Sequence, residues 1–262
     1  MNATGGLSGV GVLVTRPAHQ ADGLCRLIER QGGTAHRFPV LEIRPPRDPG
    51  PLQRVAACLD DYELAIFVSA NAVERALGAI LATRSWPTTT RIAVIGRSSA
   101  RALAQYGLQA DLCPSERFDS EALLELPEMQ QLQGLHCVIF RGQGGREHLA
   151  ENLRRRGAQV DYVETYRRVR PQADIAPLLA HWRAGDIDIV AVNSAESLQN
   201  LVAMLDEEGG RLLRGTPLLV VTERMSPLVE QLGFRQSAVL AANATDEAVL
   251  DALLGWQAGR SH

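Results

Sequence analysis

Short apolar runs of strand length alternate along this chain with segments whose apolar residues recur every three or four positions. Residues 10–14, 64–68, 91–95, 136–140, 187–192 and 217–221 are apolar almost throughout, as in parallel strands buried on both faces. Each runs through a polar turn into a helical pattern. After the first, Ala21, Leu24, Cys25 and Ile28 fall at i, i+3, i+4 and i+7. Pro17 suits the opening of that helix, where its missing N–H would be unpaired in any case. Gly32-Gly33 then closes it through a left-handed cap. Further helices are predicted over residues 72–81, 99–106, 145–156 (with Gly157 as the cap), 197–205 and 226–232. Strict alternation of strand and helix predicts parallel sheets covered on both faces, with right-handed crossovers.

The pattern also repeats. Val12-Leu13-Val14-Thr15-Arg16-Pro17 meets Cys137-Val138-Ile139-Phe140-Arg141-Gly142 at a shift of 125 residues, with Arg16 falling on Arg141. In the same register Gly32 falls on Gly157, and Phe67-Val68-Ser69-Ala70 on Val192-Asn193-Ser194-Ala195. A constant shift over the chain predicts two similar α/β domains and a site between them. Residues 44–51, with four prolines, read as an extended connection, and residues 167–171 are their repeat partner. If both are crossings, the first domain is discontinuous (residues 1–41 and 171–262) and the second is inserted (45–166). The linkers are then 38–47 and 163–171. A cut into sequential halves near residue 125 is the rival.

Composition narrows the chemistry. A net charge of −3 argues against general nucleic-acid binding, which needs excess cation. No apolar stretch approaches the roughly 20 residues of a membrane span. Residues 1–8 lack the basic start and apolar core of a signal peptide, so a cytoplasmic protein is expected. Cys25, Cys58, Cys113 and Cys137 are scattered and read as reduced, buried thiols. The chain has no lysine; all 27 basic residues are arginine. That excludes a Schiff-base lysine and a Walker-type P-loop, and leaves arginine, hydroxyls, amides and backbone N–H groups to hold anions. A GC-rich coding sequence explains the bias more readily than function does.

In open parallel sheets ligands bind beyond the carboxyl ends of strands, where helix N-termini offer free N–H groups. The tips here are Thr15-Arg16-Pro17, Ser69-Ala70-Asn71, Gly96-Arg97-Ser98-Ser99, Arg141-Gly142-Gln143-Gly144-Gly145, Asn193-Ser194-Ala195 and Thr222-Glu223-Arg224. They hold hydroxyls, amides, glycines and arginines and almost no carboxylates, which favours an anion-holding cleft over a metal centre or a paired-carboxylate hydrolase. Each Ser or Asn there can equally be a helix cap, and Arg16 and Arg141 can equally pair with acids. Gly142-Gln143-Gly144-Gly145 lacks the third glycine of a dinucleotide fingerprint, since position 147 is Glu147. The six histidines show no metal-binding spacing, Arg146-Glu147-His148 reads as helix surface, and no G-x-S-x-G elbow exists. Tyr166, in Glu164-Thr165-Tyr166-Arg167, is expected on the returning linker at the floor of an interdomain cleft, as a packing residue or a catalytic one.

Leu13-Val14-Thr15-Arg16-Pro17, the Phe67-Val68-Ser69-Ala70-Asn71-Ala72-Val73 turn, Val94-Ile95-Gly96 and the Glu164-Thr165-Tyr166 linker together resemble the uroporphyrinogen-III synthase family, from Gly9 to about Leu254. The resemblance implies two α/β domains on a two-stranded connector, the first discontinuous, with neither cofactor nor metal. It implies closure of hydroxymethylbilane, a linear tetrapyrrole with an acetate and a propionate on every ring, with loss of water and inversion of ring D. Tyr166 matches the family's linker tyrosine, the candidate acid or hydrogen-bond donor. Ser99 matches a threonine or serine after the Val-Ile-Gly strand, and Ser69 and Ser194 match hydroxyls lining the cleft. At Thr222-Glu223-Arg224-Met225-Ser226 the chain departs from the glycine and threonine pair of many members, and Thr222 alone is carried over. Arg16, Asn71, Arg141 and Gly142 complete the expected substrate contacts. The expected partners are this small molecule alone, with no nucleic acid and no membrane, and a monomer that can touch the preceding enzyme of the pathway in passing. A two-domain small-anion binding protein and a nucleotide-sugar glycosyltransferase are the alternatives.

Overall fold

The four apolar positions that define the first helical pattern are the four that become buried. Ala21, Leu24, Cys25 and Ile28 line the inner face of a helix at Ala18–Arg30, each contributing about 1–3 kcal/mol of burial for the larger side chains. Pro17 stands at its N-cap, and Gly32, at φ +79°, takes the left-handed turn beyond its end. The computed structural model describes residues 6–145 and 147–260; Arg146, read from sequence as helix surface, lies outside them.

Ten strands follow in chain order: β1 (Gly11–Val14), β2 (Thr34–Arg37), β3 (Glu42–Arg44), β4 (Leu64–Phe67), β5 (Arg91–Val94), β6 (His136–Gly142), β7 (Gln159–Val169), β8 (Ile189–Ala191), β9 (Leu218–Val220) and β10 (Val239–Leu240). They form two five-stranded sheets, ordered β10-β9-β8-β1-β2 and β3-β7-β6-β4-β5. Pairing is parallel from β2 through β10 in the first sheet, and from β7 through β6 and β4 to β5 in the second. The chain divides into one unit holding everything up to Glu42 and again from Val169, and a second unit, Ile43–Arg168. The rival cut near residue 125 is not formed. Glu125 closes a helix, Ser120–Glu125, inside the second unit.

Within the first unit the strands, counted in chain order, lie as 2-1-3-4-5, a doubly wound arrangement whose switch point falls between strands 1 and 3. The second unit repeats this arrangement in space but not in chain order, with β3 added outside β7. There β6 and β7 serve as strands 1 and 2, β4 and β5 as 3 and 4, and Leu112, bridged in parallel to Ala93, marks the fifth position. The 125-residue shift carries β1 onto β6, β2 onto the start of β7, and β4 onto β8. Each unit therefore takes its first two strands from one copy of the repeat and its next strands from the other.

Both sheets are buried on two faces, as the unbroken apolar runs require. In the first unit Leu13, Val190, Leu218 and Val220 pack against Leu178, Trp182, Leu198 and Leu213, whereas Val12, Val14, Ile189 and Leu219 pack against Leu24, Ile28, Val249 and Leu253. In the second, Leu64, Ile66, Cys137 and Ile139 face Leu123, Leu149 and Leu153, and Phe67 and Phe140 stack 4.9 Å apart.

Three sequence expectations are corrected. Residues 44–51 are not extended throughout. A helix at Gly50–Ala57 begins within them, its first N–H accepted by Asp48 Oδ1 at 2.8 Å and Pro51 in its first turn, where proline loses nothing. The helix expected from 145 starts at His148, because Gly144 at φ +76° carries the chain through a left-handed loop first. Cys25 and Cys137 are buried, but Cys58 and Cys113 are half-buried, and all four are free.

Candidate functional site

The second unit presents a cleft of about 400 Å³ at the carboxyl ends of β4 and β6, the two strands that flank its switch point. Ser69, at the tip of β4, extends into the helix Ala70–Ile80 as its N-cap, with Oγ accepting the Ala72 N–H at 3.1 Å. Tyr166 reaches the same oxygen from the other side. Its hydroxyl lies 3.1 Å from Ser69 Oγ, and its ring is 2% exposed.

An irregularity in the sheet aims that ring. Arg141 of β6 pairs with Glu164 of β7, but the next residue, Gly142, pairs with Tyr166, so Thr165 is an extra residue opposite the step. A bulge re-aims every side chain beyond it. Val163, Thr165 and Tyr166 are all buried, and the Thr165 hydroxyl is secured on the Arg141 carbonyl at 3.2 Å. Gly142 makes the space the ring fills. A Cβ there would lie 2.6 Å from Tyr166 Cζ and 2.9 Å from its hydroxyl. Past it, the Gln143 N–H continues the ladder onto the Tyr166 carbonyl at 2.8 Å.

Arg141, Ser69, Gly142 and Tyr166 thus line one cleft, wholly within the second unit. Arg141 crosses the Tyr162 ring with its guanidinium carbon 3.8 Å from the centroid, and donates to the Gly145 carbonyl at 3.1 Å and to Glu147 Oε1 at 3.0 Å. Desolvation raises the Glu147 carboxyl, but the hydrogen bond and charge of Arg141 outweigh it and hold the group below the usual carboxylate range.

The other expected residues stand elsewhere. Asn71 follows in the first turn of the helix that Ser69 caps, and Ser99 is buried in the helix Arg97–Ala104; neither is among the residues lining the cleft. Arg16, Ser194 and Thr222 belong to the first unit. Ser194 caps the helix Ala195–Met204 through the Ser197 N–H at 3.0 Å and shares a 2.9 Å hydrogen bond with the Ser197 hydroxyl. Thr222 Oγ1 accepts the Arg224 N–H at 3.4 Å. Arg16 is 9% exposed, and its terminal nitrogens hold the Asp246 carboxylate and the Ala244 carbonyl (3.0 Å), clamping the start of the helix Asp246–Arg260 to the tip of β1.

Sequence reasoning passed over Arg168 and named Gln143 only as part of its strand tip; both also line the cleft. The period-two pattern of β7 was the available signal for Arg168, which lies two residues beyond Tyr166 and so on the same face. Among the described residues no group of three His, Cys, Asp or Glu side chains is placed to hold a metal ion, and no helix is long and apolar enough to cross a membrane.

A duplicated, doubly wound α/β framework, with a phenol, a serine hydroxyl and arginines gathered at a switch point, defines a protein of two α/β units with a cleft beyond the strand tips of the second. The family is specific. A model described as Uroporphyrinogen-III synthase HemD matches residues 22–251, and the chain belongs to the uroporphyrinogen-III synthase family, enzymes of tetrapyrrole synthesis. It is 35% identical to the uroporphyrinogen-III synthase of Escherichia coli (strain K12) over 246 residues, covering 93% of this chain and all of that one. It is likewise 35% identical to the Salmonella typhimurium enzyme, again over 93% of this chain. The fold is similar to that of a triple mutant of Thermus thermophilus uroporphyrinogen III synthase seen in a crystal structure (TM-score 0.63, 19% identity, covering 96% of this chain and 99% of that one). It is also similar to the Helicobacter pylori structure (TM-score 0.57, 13% identity, 94% and 99%).

Proposed function

We propose that the chain closes hydroxymethylbilane to uroporphyrinogen III and that the cleft of the second unit, around Tyr166, is where the terminal hydroxyl leaves. The observation that carries this reading is the Tyr166 hydroxyl, buried and 3.1 Å from Ser69 Oγ, at the switch point of a sheet whose tips are rich in donors. The phenol carries an O–H, and Ser69 is fixed by its own cap to the Ala72 N–H, so the pair presents a defined O–H to an incoming oxygen.

The chemistry follows from the substrate. The hydroxyl departs with a proton as water, leaving an electrophilic azafulvene. The substituted carbon of ring D attacks it and forms a spiro intermediate. That intermediate breaks and recloses with ring D inverted, and the ring carbon that finally joins gives up its proton, which restores the phenol. Spontaneous closure yields the uninverted isomer I, so the protein must hold one folded conformer of the bilane as well as assist departure. The many carboxylates of the substrate match a chain in which all 27 basic residues are arginine.

Supplying the purified chain with hydroxymethylbilane and resolving the oxidised products chromatographically tests this. Isomer III in excess, at a rate proportional to protein, is expected. Isomer I at the uncatalysed rate would overturn the reading.

A further inference from the structure

We infer that Thr165 is a positioning residue for the reaction: its hydroxyl holds the bulge that aims the Tyr166 phenol at Ser69. The inference rests on the proposed role of Tyr166. Thr165 is buried and does not line the cleft, so any part it has in the chemistry is exerted through its neighbour. It is the extra residue of β7, since Arg141 pairs with Glu164 and the next residue, Gly142, with Tyr166. Residues paired across adjacent strands carry their side chains on one face, so this slip sets the phenol ring on the side of Gly142, which has no side chain to oppose it. In unbroken register Thr165 would stand opposite Gly142, and Tyr166 opposite Gln143. A shift of one residue turns every side chain beyond it to the other face. The ring would then leave Ser69 Oγ.

The hydroxyl sits where the ladder is interrupted. The Val68 N–H, just past β4, takes the Phe140 carbonyl at 3.2 Å, and successive carbonyls of a strand point to opposite neighbours, so the Arg141 carbonyl faces β7. A bulge disrupts the ladder at such a step. Thr165 Oγ1 donates to that carbonyl at 3.2 Å, a side-chain bond placed at the point where two residues of β7 face one of β6. Beyond it the ladder resumes, with the Gln143 N–H on the Tyr166 carbonyl at 2.8 Å. Threonine suits the place twice. Its β-branch restricts χ1, and its short hydroxyl reaches nearby backbone. Valine would keep the branch and the volume but withdraw a donor from the Arg141 carbonyl, which weakens the bulged register relative to the regular one.

The test uses the full chain as wild type, Thr165→Val, Thr165→Ser and Thr90→Val. Thr90 is a matched control: it is buried in the same unit, away from the cleft lining, and its hydroxyl donates to the Leu59 carbonyl at 3.0 Å. Both valine variants lose one buried hydroxyl bond, so a similar small fall in Tm is expected of each. Thr165→Val alone is expected to lower kcat, by about tenfold or more, as for a displaced reacting group, with KM within about twofold of wild type. Thr165→Ser, which keeps the donor, should recover most of kcat. In a Tyr166→Phe background Thr165→Val should cost little more, because the group it aims is gone. With the four tyrosines labelled with 13C at Cζ, the Tyr166 signal, known by its absence in Tyr166→Phe, should move in Thr165→Val and stay in place in Thr165→Ser and Thr90→Val. An unchanged kcat in Thr165→Val would overturn the inference, as would an equal loss in both backgrounds or a Tyr166 signal that does not move. If wild type fails to turn over bilane, the proposed reaction fails, and the Tyr166 signal still decides whether Thr165 places the phenol.

Discussion

Replacing Gly142 by alanine adds one methyl group at the point where β6 meets the Tyr166 ring. The new Cβ would lie 2.6, 2.7 and 2.9 Å from Tyr166 Cζ, Cε2 and the hydroxyl oxygen, and carbon atoms rest at about 3.5–4.0 Å. The ring must therefore retreat by roughly 1 Å. The neighbours leave it little room, because Tyr166 is 2% exposed, and its own backbone is held by the Gln143 N–H. Overpacking of this kind costs about 1–3 kcal/mol. The 3.1 Å contact to Ser69 Oγ is lost as the hydroxyl moves, which adds about 1 kcal/mol. For a chain of this size each kcal/mol lowers Tm by roughly 2–4 °C. The catalytic loss is larger in proportion, since misplacing a reacting group by about 1 Å costs on the order of 10²-fold. Gly134→Ala is the control. That glycine has φ +78° and nothing within 4 Å of its added Cβ, so alanine there pays backbone strain alone. Thermal melts and bilane kinetics on both variants are expected to show a fall in Tm for each, the larger for Gly142→Ala, and a fall in kcat only for Gly142→Ala. Unchanged kcat in Gly142→Ala would refute the claim that the position of the Tyr166 hydroxyl matters.

Tyr166→Phe keeps the ring and removes only the oxygen, so Tm should move little while kcat falls by about 10²-fold, the size of a general-acid contribution; chromatography of the oxidised porphyrins should still show isomer III, and a full rate would return Tyr166 to a packing role. Ser69→Ala removes both a helix cap, worth about 1 kcal/mol, and the partner of Tyr166, so Tm and kcat should fall together, kcat by roughly tenfold; a change in Tm alone would detach the serine from the reaction. Burial, and then the neighbouring His181, hold the His36 imidazole below its ordinary 6.5. The unfolded chain therefore binds more protons as pH falls below about 6.5, and stability contributed by neutral His36 is present above that pH and lost beneath it. Urea unfolding between pH 7.5 and 5 should show this decline, and His36→Gln should flatten it.

The framework was legible because it depends on short-range patterning. Apolar runs such as residues 64–68 and the i, i+3, i+4, i+7 stripe of Ala21, Leu24, Cys25 and Ile28 encode their own elements, since a sheet buried on both faces needs one and an amphipathic helix needs the other. The 125-residue repeat carried the duplication in the same way, and the strand-tip rule singled out Ser69, Arg141 and Gly142, which the fold gathers in one cleft with the linker's Tyr166. What the pattern could not carry was anything that depends on where a distant partner ends up. No local signal marks Thr165 as the extra residue of a bulge, because the slip exists only relative to the register of β6. Asp246 lies 230 residues from Arg16 in sequence, so only the packed first unit reveals that this arginine is clamped to the last helix. Arg141 shows the same limit: the sequence leaves it open between a substrate contact and an ion-pair partner, and only the folded second unit stacks it on Tyr162 and ties it to Glu147.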